Sequence, residues 1–162
     1  MSQRLKYLGS SIVFQEVPDE ISLAINISGC PHKCEGCHSD YLWEYNGNYI
    51  SDDIESLIEQ YEGYITCVCF MGEGNDKKGL LELARFVLRE KHLWPALYSG
   101  REEVEEDYNR FFRYIKVGPY KEEFGPLNKE TTNQRLYWVH SSGCFDDNLI
   151  REDITHKFWK RQ

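Results

Sequence analysis

An unbroken alternation of branched and small side chains, Ile21-Ser22-Leu23-Ala24-Ile25-Asn26-Ile27-Ser28, runs directly into three cysteines within eight residues, Cys30, Cys34 and Cys37. A two-residue period is the signature of a β-strand. A strand that ends on a cluster of ligand-type side chains constrains everything packed around it, because its C-terminal end has to stay accessible. In α/β architectures such strand ends are where sites are built.

The spacing itself speaks to chemistry. Cys-x3-Cys-x2-Cys gathers three thiolates, whereas a complete 4Fe–4S site normally takes four. One iron is then left with a position not filled by protein, the same distinction that separates reactive from structural zinc. Two other readings fit the spacing: a structural zinc site completed by His32, His38 or Cys144, and a disulfide pair with one odd thiol. The strand that delivers the chain into Gly29-Cys30 favours the open cluster.

The remainder of the chain excludes several classes. At 162 residues, 41% hydrophobic and 14% aromatic, it is expected to form one domain over residues 1–162 with a substantial core. A net charge of −8 disfavours a nucleic-acid binder, which needs a basic footprint on the phosphates. No apolar run reaches the length of a membrane span, and the first residues lack the apolar stretch of a secretion signal. Six cysteines without such a signal point to metal or redox chemistry in a reducing cytoplasm.

Strand and helix patterns alternate after the cysteines. Ser51-Asp52-Asp53 reads as a capped helix start with an apolar stripe of Ile54, Leu57, Ile58 and Tyr61. A second strand over residues 65–70 ends in Met71-Gly72-Glu73-Gly74 and is followed by a helix facing inward through Leu80, Ala84, Val87 and Leu88. A third strand over 94–98 precedes Ser99-Gly100-Arg101-Glu102, a capping-box pattern that predicts a helix burying Val104, Tyr108, Phe111 and Phe112. Strands near 114–117 and 136–139 complete five, and the alternation implies parallel pairing with crossover helices. The small face of the first strand, Ser22, Ala24, Asn26 and Ser28, suits either an inner surface that leaves room for a cofactor or an edge that meets water. Cys67 and Cys69 share one face of the second strand and read as small core hydrophobes. Tyr45 and Tyr49 read as packing, with the option of covering a cofactor.

At Gly29-Cys30-Pro31-His32-Lys33-Cys34-Glu35-Gly36-Cys37-His38 the chain resembles the radical S-adenosylmethionine (SAM) superfamily. With residues 12–16, Tyr114-Ile115-Lys116-Val117-Gly118-Pro119-Tyr120 and Thr132-Asn133-Gln134-Arg135, it more narrowly resembles the activating proteins of anaerobic (class III) ribonucleotide reductases. The resemblance implies a partial, open (β/α) TIM-like barrel of about five to six strands. It implies a 4Fe–4S cluster on Cys30, Cys34 and Cys37, with SAM bound through Gly36, Cys37, His38, Gly72, Glu73 and Gly74. In that family the reduced cluster passes an electron to the sulfonium, and the resulting 5′-deoxyadenosyl radical takes a hydrogen atom from a glycine of the reductase catalytic subunit. An electron donor such as flavodoxin is implied, and no acid–base dyad is required. The chain departs from the family where Glu73 sits between two glycines instead of following them, so either its carboxylate or the turn backbone meets the SAM ammonium. Related expectations are an activase for another glycyl-radical enzyme and a small-molecule radical SAM enzyme of the deazapurine synthase type. A non-enzymatic zinc-binding module is the expectation from a different class.

Overall fold

The computed structural model describes residues 4–29, 44–141 and 148–159. Cys30, Cys34, Cys37, Gly36, His38 and Cys144 lie outside the described residues. Eight strands within the described residues form one mixed sheet: β1 Lys6–Val13, β2 Ser22–Ile27, β3 Asn48–Tyr49, β4 Cys67–Met71, β5 Trp94–Tyr98, β6 Tyr114–Val117, β7 Arg135–Ser141 and β8 Leu149–Asp153. Their order is β3-β1-β2-β4-β5-β6-β7-β8, an open sheet with β3 and β8 at its edges. Strands β2, β4, β5 and β6 run parallel in the centre, and the flanking pairs are antiparallel.

This is an α/β fold with a parallel centre, but the expected strand count was too low. The strand over residues 21–28 is the second, not the first, because β1 precedes it and pairs with it antiparallel. Gly9, at φ 90°, sits where the β1–β2 register shifts between Tyr7 and Ser10, and that bulge interrupts the alternation that would have revealed β1. Strand β7 also turns back antiparallel to β6. The connection over residues 118–134 contains no helix, and a parallel return needs a long crossover.

Helices α1, Ile50–Gln60, and α2, Lys77–Arg89, present the expected stripes. Ile54 and Ile58 are buried in α1, together with Ile50; Leu80, Ala84 and Val87 are buried in α2, together with Leu83. Ser51 is not the cap of α1. The helix begins at Ile50, with Tyr49 at the cap position two residues before Ser51, and the Ser51 hydroxyl accepts a hydrogen bond from Arg4 at 2.7 Å. Asp76 caps α2 by accepting from the Gly79 amide at 3.1 Å. Among the described residues no helix is long and apolar enough to cross a membrane.

The helix expected after Ser99 is a short 3₁₀ turn, Glu106–Arg110. The Ser99 hydroxyl accepts from the Arg101 amide at 3.1 Å and donates to the Glu73 carboxylate, so it is diverted from capping a helix. The burial expectation survives the change: Val104, Tyr108 and Phe112 are buried, and Phe111 is partly so. Phe112 stacks with Tyr108 at 6.0 Å and meets Phe70 edge-on at 6.1 Å, which fastens this segment to β4.

The two faces of the central strands have different covers. Leu23, Ile25, Ile27, Val68, Phe70, Leu97 and Ile115 form the main core with α1 and α2. On the opposite face Ser22 and Ser28 are fully buried, Ala24 nearly so and Asn26 half-buried, so most of that face of β2 does not meet water. The β1–β2 connection crosses that face. Val17 packs with Cys67, Cys69 and Ala96, Tyr98 donates to the Glu16 carbonyl, and Tyr114 donates to Glu20 at 2.7 Å. Burial pushes the Cys67 thiol up to about 12 and the Cys69 thiol well above its ordinary value, as inert core cysteines require. We expect Phe112→Ala to lose about 3–5 kcal/mol of stability, read as a lower urea midpoint at an unchanged denaturant slope.

Candidate functional site

The C-terminal ends of the four parallel strands bring together Ser28-Gly29, Gly72-Glu73-Gly74, Ser99 to Arg101, and Lys116 to Gly118. At the end of β2 the chain enters residues 30–43 through a neck. The Gly29 amide donates to the Glu44 carbonyl at 3.2 Å, and Asn46 donates its amide to Ser28 Oγ at 3.0 Å. Gly29 has φ 78°, a left-handed conformation that glycine adopts without strain. Tyr45 and Tyr49 stand beside this neck with cations on their rings: Lys6 lies 4.6 Å from the Tyr45 centroid, and Arg4 lies 4.0 Å from that of Tyr49.

At the end of β4, Gly72 and Gly74 both have positive φ. A Cβ on Gly74 would come within 2.5 Å of Leu5 Cδ2 and 2.9 Å of Ile27 Cγ2. This turn therefore packs directly against the last residues of β2, next to the entry into the cysteine segment. Its second glycine has a steric reason as well as a conformational one.

Glu73, between the two glycines, is heavily engaged. Arg101 donates to it through Nε at 2.8 Å and Nη2 at 2.9 Å, Tyr108 donates at 2.7 Å, and Ser99 adds a further hydroxyl. The side chain is only 10% exposed. Burial pushes its carboxyl up, but the hydrogen bonds from Arg101, Ser99 and Tyr108 outweigh that and hold it below its ordinary value. Arg101 in turn donates to Glu105 at 2.7 Å, and Lys77 reaches the same carboxylate at 3.1 Å. Hydrogen bonds from Arg101 and Lys77 hold the Glu105 carboxyl down at about 2.

One strand further on, Lys116 is 8% exposed. Its ammonium donates to the Gly118 carbonyl at 2.8 Å and the Ser99 carbonyl at 3.3 Å. The Ser99 amide returns a bond to the Lys116 carbonyl at 2.8 Å. The ends of β5 and β6 are thus tied by main chain and side chain together. Among the described residues no three His, Cys, Asp or Glu side chains gather as metal ligands.

Of the residues expected to form the site, Gly72, Glu73 and Gly74 stand together at the β4 end, beside the exit of β2. The expected ligand cysteines, with Gly36 and His38, lie outside the described residues. Sequence reasoning missed Ser99, Arg101 and Tyr108 as the partners of Glu73. The signal available was that Ser99 and Arg101 follow a strand end in the same way as Glu73, two strands that pair in register through Met71 and Tyr98. No known family model, curated protein or solved structure matches the chain.

The carboxylates give a pH prediction. Glu73 and Glu105 both ionise more easily in the folded chain than at the ordinary value of about 4.3. Their stabilisation is complete above that value and is lost as pH falls through the depressed folded values. Glu73→Gln is expected to lower stability at neutral pH by about 1.5–3 kcal/mol and to flatten the loss of stability as pH falls below the ordinary carboxylate value. Urea unfolding at a series of pH values measures both, and an unaltered acid slope would remove Glu73 from this role.

Proposed function

We propose that this protein is a radical SAM activating enzyme that installs a glycyl radical on the catalytic subunit of an anaerobic ribonucleotide reductase. The observation that carries the reading is the run of three cysteines beginning directly after Gly29, at the C-terminal end of a buried parallel strand whose neighbour ends in Gly72-Glu73-Gly74. The donor set suits a 4Fe–4S cluster with one open iron: Cys30, Cys34 and Cys37 would hold it. When bound, that cluster supplies the electron, drawn from a donor such as flavodoxin, that breaks the carbon–sulfur bond of SAM. The net products are methionine, 5′-deoxyadenosine and a reductase glycine that has lost one α-hydrogen atom. The architecture in this reading is a partial, open barrel of the radical SAM type, working in the cytoplasm.

The chain's own part is positioning and exclusion of competing reactions. Glu73 spends its carboxylate on Arg101, Tyr108 and Ser99, so the ammonium of SAM is met by the main chain of residues 72–74. Glycine at 72 and 74 lets that main chain approach a ligand with no side chain between. Residues 14–20 close the lower part of the inner face, which keeps the ligand at the strand ends, within reach of a polypeptide loop. Gly36 and His38 flank Cys37 and complete the SAM contacts in this reading.

Anaerobic mixing with SAM, reduced flavodoxin and the cognate reductase is expected to yield a persistent glycyl radical on the reductase. Electron paramagnetic resonance would record a doublet that simplifies when the glycine α-hydrogens are deuterated. Cys30→Ala, Cys34→Ala and Cys37→Ala should each abolish SAM cleavage, while Cys67→Ala and Cys69→Ala retain it. Zinc in place of iron and sulfide after anaerobic purification would sink the reading. SAM cleavage with a small heterocycle and no radical on any reductase would reassign the enzyme.

A further inference from the structure

Charge on this chain is divided between its two helices. The chain as a whole carries a net charge of −8. Helix α1 holds Asp52, Asp53, Glu55 and Glu59 and no basic residue, whereas α2 holds Lys77, Lys78, Arg85 and Arg89 against the single acid Glu82. Lys78, Leu81, Arg85 and Arg89 recur at intervals of three and four residues, so they share one stripe of α2. It is distinct from the stripe that fills the core. Lys78, Arg85 and Arg89 are exposed and Leu81 is half-buried, while Leu80, Leu83, Ala84 and Val87 are buried.

This stripe is one wall of an open groove, and Phe111, directly after the 3₁₀ turn, belongs to the other. Asp107 also lines the groove but is matched there by Lys77 at 3.0 Å. The Arg110 guanidinium lies 5.5 Å from the Phe111 ring centroid, which places a further cation on that wall. Leu81 and Phe111 thus give the groove an apolar strip, flanked by Lys78, Arg85 and Arg110. An apolar strip with a basic rim, on a molecule that is acidic elsewhere, complements an acidic polypeptide that carries an apolar side chain.

The groove also has a place relative to the strand ends. Lys77 comes three residues after Gly74, so the groove starts at the edge where the parallel strands finish. It then descends along α2, with Arg85 about 10 Å and Arg89 about 16 Å from Lys78 at about 1.5 Å per residue. Its second wall follows β5, which lies on the far side of β4 from β2. A body seated in the groove leaves the exit of β2 uncovered.

We infer that the groove between α2 and Phe111 is a docking site for an acidic segment of the reductase catalytic subunit. The inference rests on the activase reading above. A site open enough to admit a polypeptide loop has few walls of its own, and contacts remote from the reacting atoms then supply the binding energy that holds the substrate. An electron donor fits the groove less well, because it has to approach the cysteine segment, which begins on the other side of β4.

Titration of the cognate reductase into anaerobically reconstituted protein tests this, with the dissociation constant read by calorimetry and the radical by electron paramagnetic resonance. A Lys78→Glu, Arg85→Glu double variant should bind the reductase about tenfold more weakly. Arg85→Gln should fall between wild type and Arg85→Glu. Added salt should weaken wild-type binding and change that of the double variant far less, since exposed charges are screened. Every variant should keep its iron, sulfide and SAM affinity. Unchanged reductase affinity in the double variant overturns the inference while leaving the activase reading intact. Slower reduction by flavodoxin at unchanged reductase affinity overturns it too, because the groove would then serve the donor. A wild-type dimer that the double variant dissociates at unchanged reductase affinity also overturns it, making the acidic α1 of a second copy the occupant. Wild-type protein that puts no glycyl radical on the reductase overturns the reading and this inference together.

Discussion

Four parallel strands in the middle of a sheet have to be covered on both faces, and that requirement organises the molecule. One cover is ordinary: α1 and α2 lay apolar stripes over Leu23, Ile25, Val68, Phe70 and Leu97. The other is a stretch of connection, residues 14–20, inserted through Val17 and secured by Tyr98, Tyr114 and the Glu20 carboxylate. Small side chains on β2 and cysteines on β4 leave the depth for it. The second cover takes the lower part of that face, so the strand ends become the place where a ligand can meet the sheet.

Charge at those ends is settled internally. Arg101 grips Glu73 with two nitrogens, and Tyr108 and Ser99 take the remaining lone pairs. A carboxylate so occupied has little left for a ligand's ammonium. A bidentate pair also fixes geometry, which is where the value of such contacts lies. The pair joins the turn after β4 to the turn after β5, and Lys116 joins β5 to β6. The result is an edge whose main-chain groups are held by side chains reaching across from neighbouring strands.

How much of this was legible in the sequence depended on periodicity. Strand β5, both helical stripes and the burial of Tyr108 and Phe112 follow from spacing that packing enforces. Strand β1 was hidden by a glycine bulge, and β7 was misassigned in direction because pairing direction is set by the connection, not by the strand's own residues. The Ser99 pattern signalled a helix start, yet its hydroxyl answers to Glu73, 26 residues away in the chain. Gly72, Glu73 and Gly74 were recognisable as a turn of interest, but the partner that neutralises Glu73 is a tertiary fact. Local patterns report local hydrogen bonding well and long-range competition for the same donors poorly.

On the proposed reading, the neck formed by Ser28, Gly29, Glu44 and Asn46 would separate two events that small metalloproteins often merge. Where metal binding is folding, removing the metal unfolds the chain. Here the described residues that flank positions 30–43 are joined to one another, Gly29 to Glu44 and Ser28 to Asn46, and the large cores lie elsewhere. The entropy of bringing those ends together is already spent when the sheet forms. On the proposed reading, a cluster held by Cys30, Cys34 and Cys37 would be gained and lost by a scaffold already folded, with nothing beneath it to rebuild.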